Sequence, residues 1–210
     1  MTQKERALKI IQLLKKEYPR PRTALRFSSP LEILVATILS AQCTDKRVNI
    51  VTQSLFKKYR AVQDYAQADL KTFENEIRST GFYRNKAKNI INAAKKVMSD
   101  FGGKVPDTMH ELLTLPGVAR KTANIVLISG FGKAEGIAVD THARRLSQRL
   151  GLSKSDNPVK IEQDLMQLVP KKDWGIVNFL LVDHGRKICS AKKPLHDECA
   201  LYDLCPSRNI

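Results

Sequence analysis

The chain is 210 residues long and 42% apolar, enough to bury a core without disulfide staples. Its 36 lysines and arginines against 21 acidic residues leave a formal charge of +15, which points to a polyanion such as nucleic acid, with a generally sticky basic protein as the alternative. No apolar run approaches a membrane span, and the charged N-terminus "MTQKERALKIIQLLKKEY" is unlike a secretory signal, so the expectation is a soluble, intracellular protein, cytoplasmic or nucleoid-associated.

Helical spacing dominates from the start. Leu8, Ile11, Leu14 and Tyr18 recur at steps of three and four, which places them on one helical face. In "SSPLEILVATILSAQ", Ser29 reads as an N-cap, Pro30 as the first helical residue and Glu32 as the other half of a capping box. Leu31, Ile33, Leu34, Val35, Ile38 and Leu39 then surround this helix with apolar side chains, so it is expected to be central and buried. Further helices follow Asp45 (Val48, Val51, Leu55) and Asp69 (Leu70, Phe73, Ile77), and "RNKAKNIINAAKKVMSDF" makes another that Gly102 and Gly103 stop. Asp107 reads as the cap of a helix ending at Pro116; later ones begin at Arg120, near Thr141, at Asn157 with Pro158, and near Asp173. No stretch alternates as a strand would, so the fold class is all-α, with about ten short helices. The loop "GFGKAEG" is the best candidate for a crossing between two helical lobes.

Residues 115 to 127, "LPGVARKTANIVL", read as a helix end, a tight turn and a new helix. The backbone N–H groups of the turn and of the new helix's first residues face one way, an arrangement suited to a DNA phosphate. On "PG" alone an ordinary helix–turn–helix connection explains the stretch equally well. The full pattern of Leu115, Gly117, Val118, Ala123 and an aliphatic run resembles the helix-hairpin-helix motif. Together with "VDTH", "LSAQCTD", "GFYRNKAKNI" and a cysteine-rich tail, it makes nearly the whole chain resemble the endonuclease III family of DNA glycosylases. Ala119 departs from the family, where a second glycine is commoner; a positive φ there would cost alanine about 1 kcal/mol.

The resemblance implies two lobes with a DNA-binding groove between them. One is a six-helix bundle over residues 22–132 that carries the hairpin; the other joins residues 1–21 to 133–210 and ends in a cluster loop at 189–205. It also implies a bifunctional enzyme that excises a base and nicks the abasic strand, with Lys121 as Schiff-base nucleophile and Asp140 as catalytic carboxylate. The chemistry suits those residue types, since a carboxylate stabilises positive charge gathering on the sugar and a free amine attacks its anomeric carbon. Taken singly, Lys121 also reads as a surface lysine and Asp140 as a helix cap. His142 either steadies the site or makes a core hydrogen bond. By resemblance, Gln42 and Phe82 sit on two loops that enter the duplex, and Gly117, Val118, Ala119 and Arg120 bind its backbone. Relatives often carry leucine where Phe82 stands; Tyr83 is read as a core aromatic. The expected partner is damaged double-stranded DNA, bound by a monomer, and the expected substrates are oxidised pyrimidines. The alternatives are a relative acting on mismatched thymine or uracil, and a non-catalytic helix-hairpin-helix DNA binder with a zinc-stabilised tail.

The tail, "CSAKKPLHDECALYDLC", holds three of the four cysteines. The family's cluster loop separates its cysteines by six, two and five residues and holds a 4Fe-4S cluster. Here those spacings fall on Cys189, His196, Cys199 and Cys205, which makes His196 the expected fourth ligand. Three cysteines and a histidine are also an ordinary zinc set, and a cluster with another fourth ligand or an empty site are the remaining readings. Lys192 and Lys193, between the ligands, form a positive loop suited to phosphates, or else a solvated charge pair. Cys43 reads as a small buried residue.

Overall fold

The computed structural model describes residues 1–208, all helix, turn and loop with no strand among them. In chain order the α-helices are α1 (Gln3–Glu17), α2 (Pro30–Leu39), α3 (Asp45–Lys58), α4 (Val62–Ala66), α5 (Leu70–Glu76), α6 (Tyr83–Phe101), α7 (Met109–Leu112), α8 (Arg120–Phe131), α9 (Thr141–Arg149), α10 (Pro158–Leu168) and α11 (Trp174–Lys187). The chain divides into two compact units, Ala24–Lys133 on one side and Met1–Thr23 with the chain from Ala134 onward on the other. Among the described residues no helix is long and apolar enough to cross a membrane.

The unit Ala24–Lys133 is organised around α2. Ser29 caps it by accepting the Glu32 N–H, and Pro30 occupies the first turn, where a missing N–H costs nothing. The capping box is only half built: the Glu32 carboxylate reaches past Ser29 to the backbone N–H and hydroxyl of Ser28. Every residue from Ile33 to Leu39 is buried, and α2 packs against α8, α3 and α6. The short α4, which sequence periodicity does not reveal, brings Tyr65 beside Tyr59 and Phe73 in an aromatic cluster with ring centroids 5.1–6.0 Å apart.

In the other unit, α1 packs on α10 and α11, and α9 on α10 and α11, around Ile10, Leu14, Leu146, Leu165 and Leu180. The buried face of α1 is Ala7, Ile10, Ile11 and Leu14, with Tyr18 beyond it; Leu8 lies off that face and is exposed, contrary to the spacing argument. Four residues at helical steps leave the face's rotation open by one position, and Ile10 settles it. Thr2 and Glu5 close a complete capping box at the start of α1.

The hairpin belongs to the first unit. Its opening helix α7 is capped by Thr108, not Asp107: the Thr108 hydroxyl accepts the Glu111 N–H, while Asp107 forms an ion pair with Lys133. Past Leu115 the chain turns through Gly117 at φ +80°, and the Val118 N–H closes the turn on the Leu115 carbonyl at 3.1 Å. Gly117 is required twice over. Its φ is one that side chains rarely adopt, and a Cβ there would stand 2.8 Å from the Cβ of Asn89 on α6. Gly117→Ala is therefore expected to destabilise the protein by about 1–3 kcal/mol, read as a lower midpoint in urea denaturation. An unchanged midpoint would show that the turn is not so constrained.

Candidate functional site

The hairpin delivers the start of α8. Seven of the helices carry a side-chain cap, from Thr2, Ser29, Thr44, Asp69, Thr108, Asp140 and Asn157. At α8 the cap position is Ala119, which has no side chain for the task. A helix that begins this way offers its first backbone N–H groups, and the positive end of its dipole, to an outside acceptor. Ala119 sits at φ −100°, ψ 172°, an extended conformation open to any residue, so the substitution of alanine for the family's glycine is free of backbone strain. Val118 is buried beneath the turn, and Arg120 and Lys121 open the helix, both half-buried.

Two loops of the same unit carry the only non-glycine residues with positive φ among the described residues, Gln42 at +52° and Phe82 at +48°. Both side chains are exposed, Phe82 by 62%. Phe82 is thus an apolar ring held out in solvent on a strained backbone, the opposite of a core aromatic. Tyr83 is not in the core either: it is half-buried, with the guanidinium groups of Arg78 and Arg84 both close to its ring. Cys43, beside Gln42, is partly exposed and not the buried residue its composition class suggests.

In the second unit, Asp140 caps α9. Its Oδ1 accepts the Ala143 N–H at 2.8 Å, which fixes the carboxylate while leaving it half-exposed. His142 makes a core contact: its Nδ1 is 3.2 Å from the Arg145 guanidinium, and it packs on Gly185, where a Cβ would come within 2.7 Å. Burial holds the His142 imidazole below its ordinary range.

The tail residues converge. Cys189, His196, Cys199 and Cys205 all border one small enclosed cavity, together with His184 and Arg149. Arg149 donates to the Cys189 sulfur at 3.3 Å and to the carbonyls of Ser190 and Ala191, while Arg145 donates to the Cys189 carbonyl, so two arginines of α9 hold the loop's entrance. His184 is buried, with Nδ1 3.2 Å from the Tyr18 hydroxyl and Nε2 3.5 Å from the Cys199 sulfur; burial pushes its pKa down to about 4, so the ring is neutral. Burial pushes the Cys199 and Cys205 thiols up. Among the described residues no three donors meet closely enough for a single metal ion; these four surround a space instead. Lys192 and Lys193 are exposed on the loop, whose turn is fixed by the Ser190 hydroxyl.

Sequence reasoning missed Lys86, His184 and Arg149. Only Lys86 left a signal: it falls in helical register with Ile90, Ala93 and Val97 on the buried stripe of α6.

Comparison with known proteins places this geometry. Residues 35–171 match the family of HhH-GPD superfamily base excision DNA repair proteins. Endonuclease III of Synechocystis sp. is 53% identical over 98% of this chain and 94% of its own, and Endonuclease III of Bacillus subtilis 46% identical over 90% and 86%. A solved structure of a trapped Endonuclease III–DNA covalent intermediate superimposes with a TM-score of 0.94 at 41% identity, covering 99% of this chain and 98% of that one. The chain therefore belongs to the HhH-GPD superfamily of base excision DNA repair proteins and, within it, to the endonuclease III family.

Proposed function

We propose that the chain is a bifunctional DNA glycosylase and abasic-site lyase of base excision repair, that it releases oxidised pyrimidines from duplex DNA in the cytoplasm or nucleoid, and that Lys121 and Asp140 carry its chemistry. The observation that carries this reading is the near-complete likeness to an endonuclease III caught in a covalent bond to DNA. Such a bond needs a nucleophile, and the hairpin presents Lys121 on the uncapped first turn of α8.

The free amine of Lys121 attacks C1′ as the N-glycosidic bond breaks, and the departing base keeps the electron pair and takes up a proton. The attacking nitrogen gives up its proton to water, and the Asp140 carboxylate stabilises positive charge on the sugar. Breaking the C1′–O4′ bond, with a proton to O4′, leaves the iminium of a Schiff base. Removal of a C2′ proton then expels the 3′ phosphate with its C–O electron pair, and water releases the amine. Asp140, fixed by its cap bond to Ala143, is pre-oriented for this role. The N–H groups of Gly117, Ala119 and Arg120, with Lys192 and Lys193, are read as backbone-phosphate contacts, while the Val118 N–H stays in the turn bond to Leu115; Gln42 and Phe82 are read as the side chains that fill the opened duplex.

Lys121→Gln is expected to abolish borohydride trapping on abasic DNA and to lower base release and strand nicking by about a thousandfold or more, with binding to an abasic duplex retained. Undiminished nicking would refute the assignment.

The endonuclease III family binds a 4Fe-4S cluster. Cys189, His196, Cys199 and Cys205 are proposed to hold it here. Four donors lining one small cavity fit a cubane, whose corner irons each take one ligand. When bound, the cluster would cross-link the four ligand positions of the loop and would be capable of one-electron exchange. Iron and sulfide analysis with the visible spectrum tests the ligand set. His196→Ala is expected to lose iron and absorbance, and His196→Cys to keep both with a lower reduction potential, because thiolate adds negative charge. A fully loaded cluster in His196→Ala would exclude histidine ligation.

A further inference from the structure

Lys86 is a lysine 4% exposed, in the first turns of α6. Its Nζ donates to the Leu39 carbonyl at 2.7 Å and to the Thr80 carbonyl at 2.8 Å. Each acceptor ends a helix. Leu39 closes α2, and Thr80 closes the single 3₁₀ turn Arg78–Thr80.

The last four carbonyls of α2 have no partners within the helix ladder, and all four are met here. Ala36 accepts from the Ser40 N–H, Thr37 from the Ser40 hydroxyl, Ile38 from the Ala41 N–H, and Leu39 from Lys86. The sequence then runs three residues from Leu39 to Gln42, and two from Thr80 to Phe82. These are the two positive-φ residues described above, and the Lys86 backbone N–H also donates to the Phe82 carbonyl at 3.1 Å. A single residue therefore holds the base of both loops.

We propose that Lys86 is a positioning residue for base extrusion, tying the C-terminal ends of α2 and of the Arg78–Thr80 turn together so that Gln42 and Phe82 are presented at a fixed spacing. This rests on the reading that those two loops enter the duplex. Strained residues persist only where their surroundings over-determine them, and Lys86 supplies that restraint at both. Burial pushes the Lys86 amine below its ordinary range, yet even the neutral amine keeps enough N–H groups for two carbonyls, so the tie does not depend on the charge.

A positioning role separates from a merely structural one by its dependence on the substrate. Extrusion from an intact duplex needs both loops, whereas a base that is already unpaired leaves them little to do. The experiment compares single-turnover release of thymine glycol from a fully paired duplex with release from the same sequence in a short unpaired bubble. Lys86→Met, which removes the donors and keeps the stem, is expected to lose about ten- to a hundredfold on the duplex and less than about twofold on the bubble. Lys86→Arg, which keeps donors in a displaced position, is measured alongside in case the methionine variant does not fold, and is expected to show the same asymmetry at smaller size. Equal losses on both substrates, or none on either, in a variant with wild-type circular dichroism would overturn the proposal. A failure of the glycosylase reading looks different, since the wild-type chain would then release no base from either substrate.

Discussion

The turn at Gly117 is the constraint on which the rest depends. With φ at +80° and Asn89 standing where a Cβ would have to go, the chain has one way to leave Leu115 and one place to begin α8. That start is left without a capping side chain at Ala119, so the helix's first N–H groups and its dipole are offered outward beside Arg120 and Lys121. A backbone built this way grips a phosphate without reading a base, which suits an enzyme that must work in any sequence context. On the proposed assignment, the reactive amine and the phosphate grip share one rigid element, and neither is adjusted independently of the other.

The positive charge of the chain is spent in two ways. Lys192 and Lys193 stand in solvent, where a positive charge attracts a polyanion at a distance and weakens with salt. Lys86, Arg145 and Arg149 face inward and donate to main-chain carbonyls, so they serve as cross-links between segments that share no regular secondary structure. An all-helical chain of short elements needs such cross-links, because its loops have no sheet ladder to pair with. The loop at 189–205 illustrates it: Arg145 and Arg149 on α9 hold the chain at Cys189 to Ala191, at the edge of the cavity that Cys189, His196, Cys199 and Cys205 line.

Much of this was legible in the sequence, for local reasons. Ser29–Pro30 starts α2, Gly102 stops α6 and Asn157–Pro158 starts α10, because caps and breakers act within a few residues of themselves. The endonuclease III resemblance came from motifs that are equally local. What the sequence hid depends on three-dimensional partners. Asp107 and Thr108 are both good caps, and only the nearness of Lys133 gives Asp107 other work. Phe82 and Tyr83 are adjacent aromatics, and a single backbone reversal at Gly81 and Phe82 decides that the first is exposed and the second lies against two arginines. Ala119 looked strained only while its φ was unknown. Lys86 on an apolar stripe was the one visible anomaly, and its meaning lies in carbonyls 47 and six residues away.

The proposed chemistry rests on a single amine at the head of α8. Peptide mapping of the adduct formed when borohydride reduces the protein–DNA intermediate tests that most directly. The sugar remnant is expected on Nζ of Lys121. A remnant on the α-amino group of Met1, or on any other lysine, would contradict it.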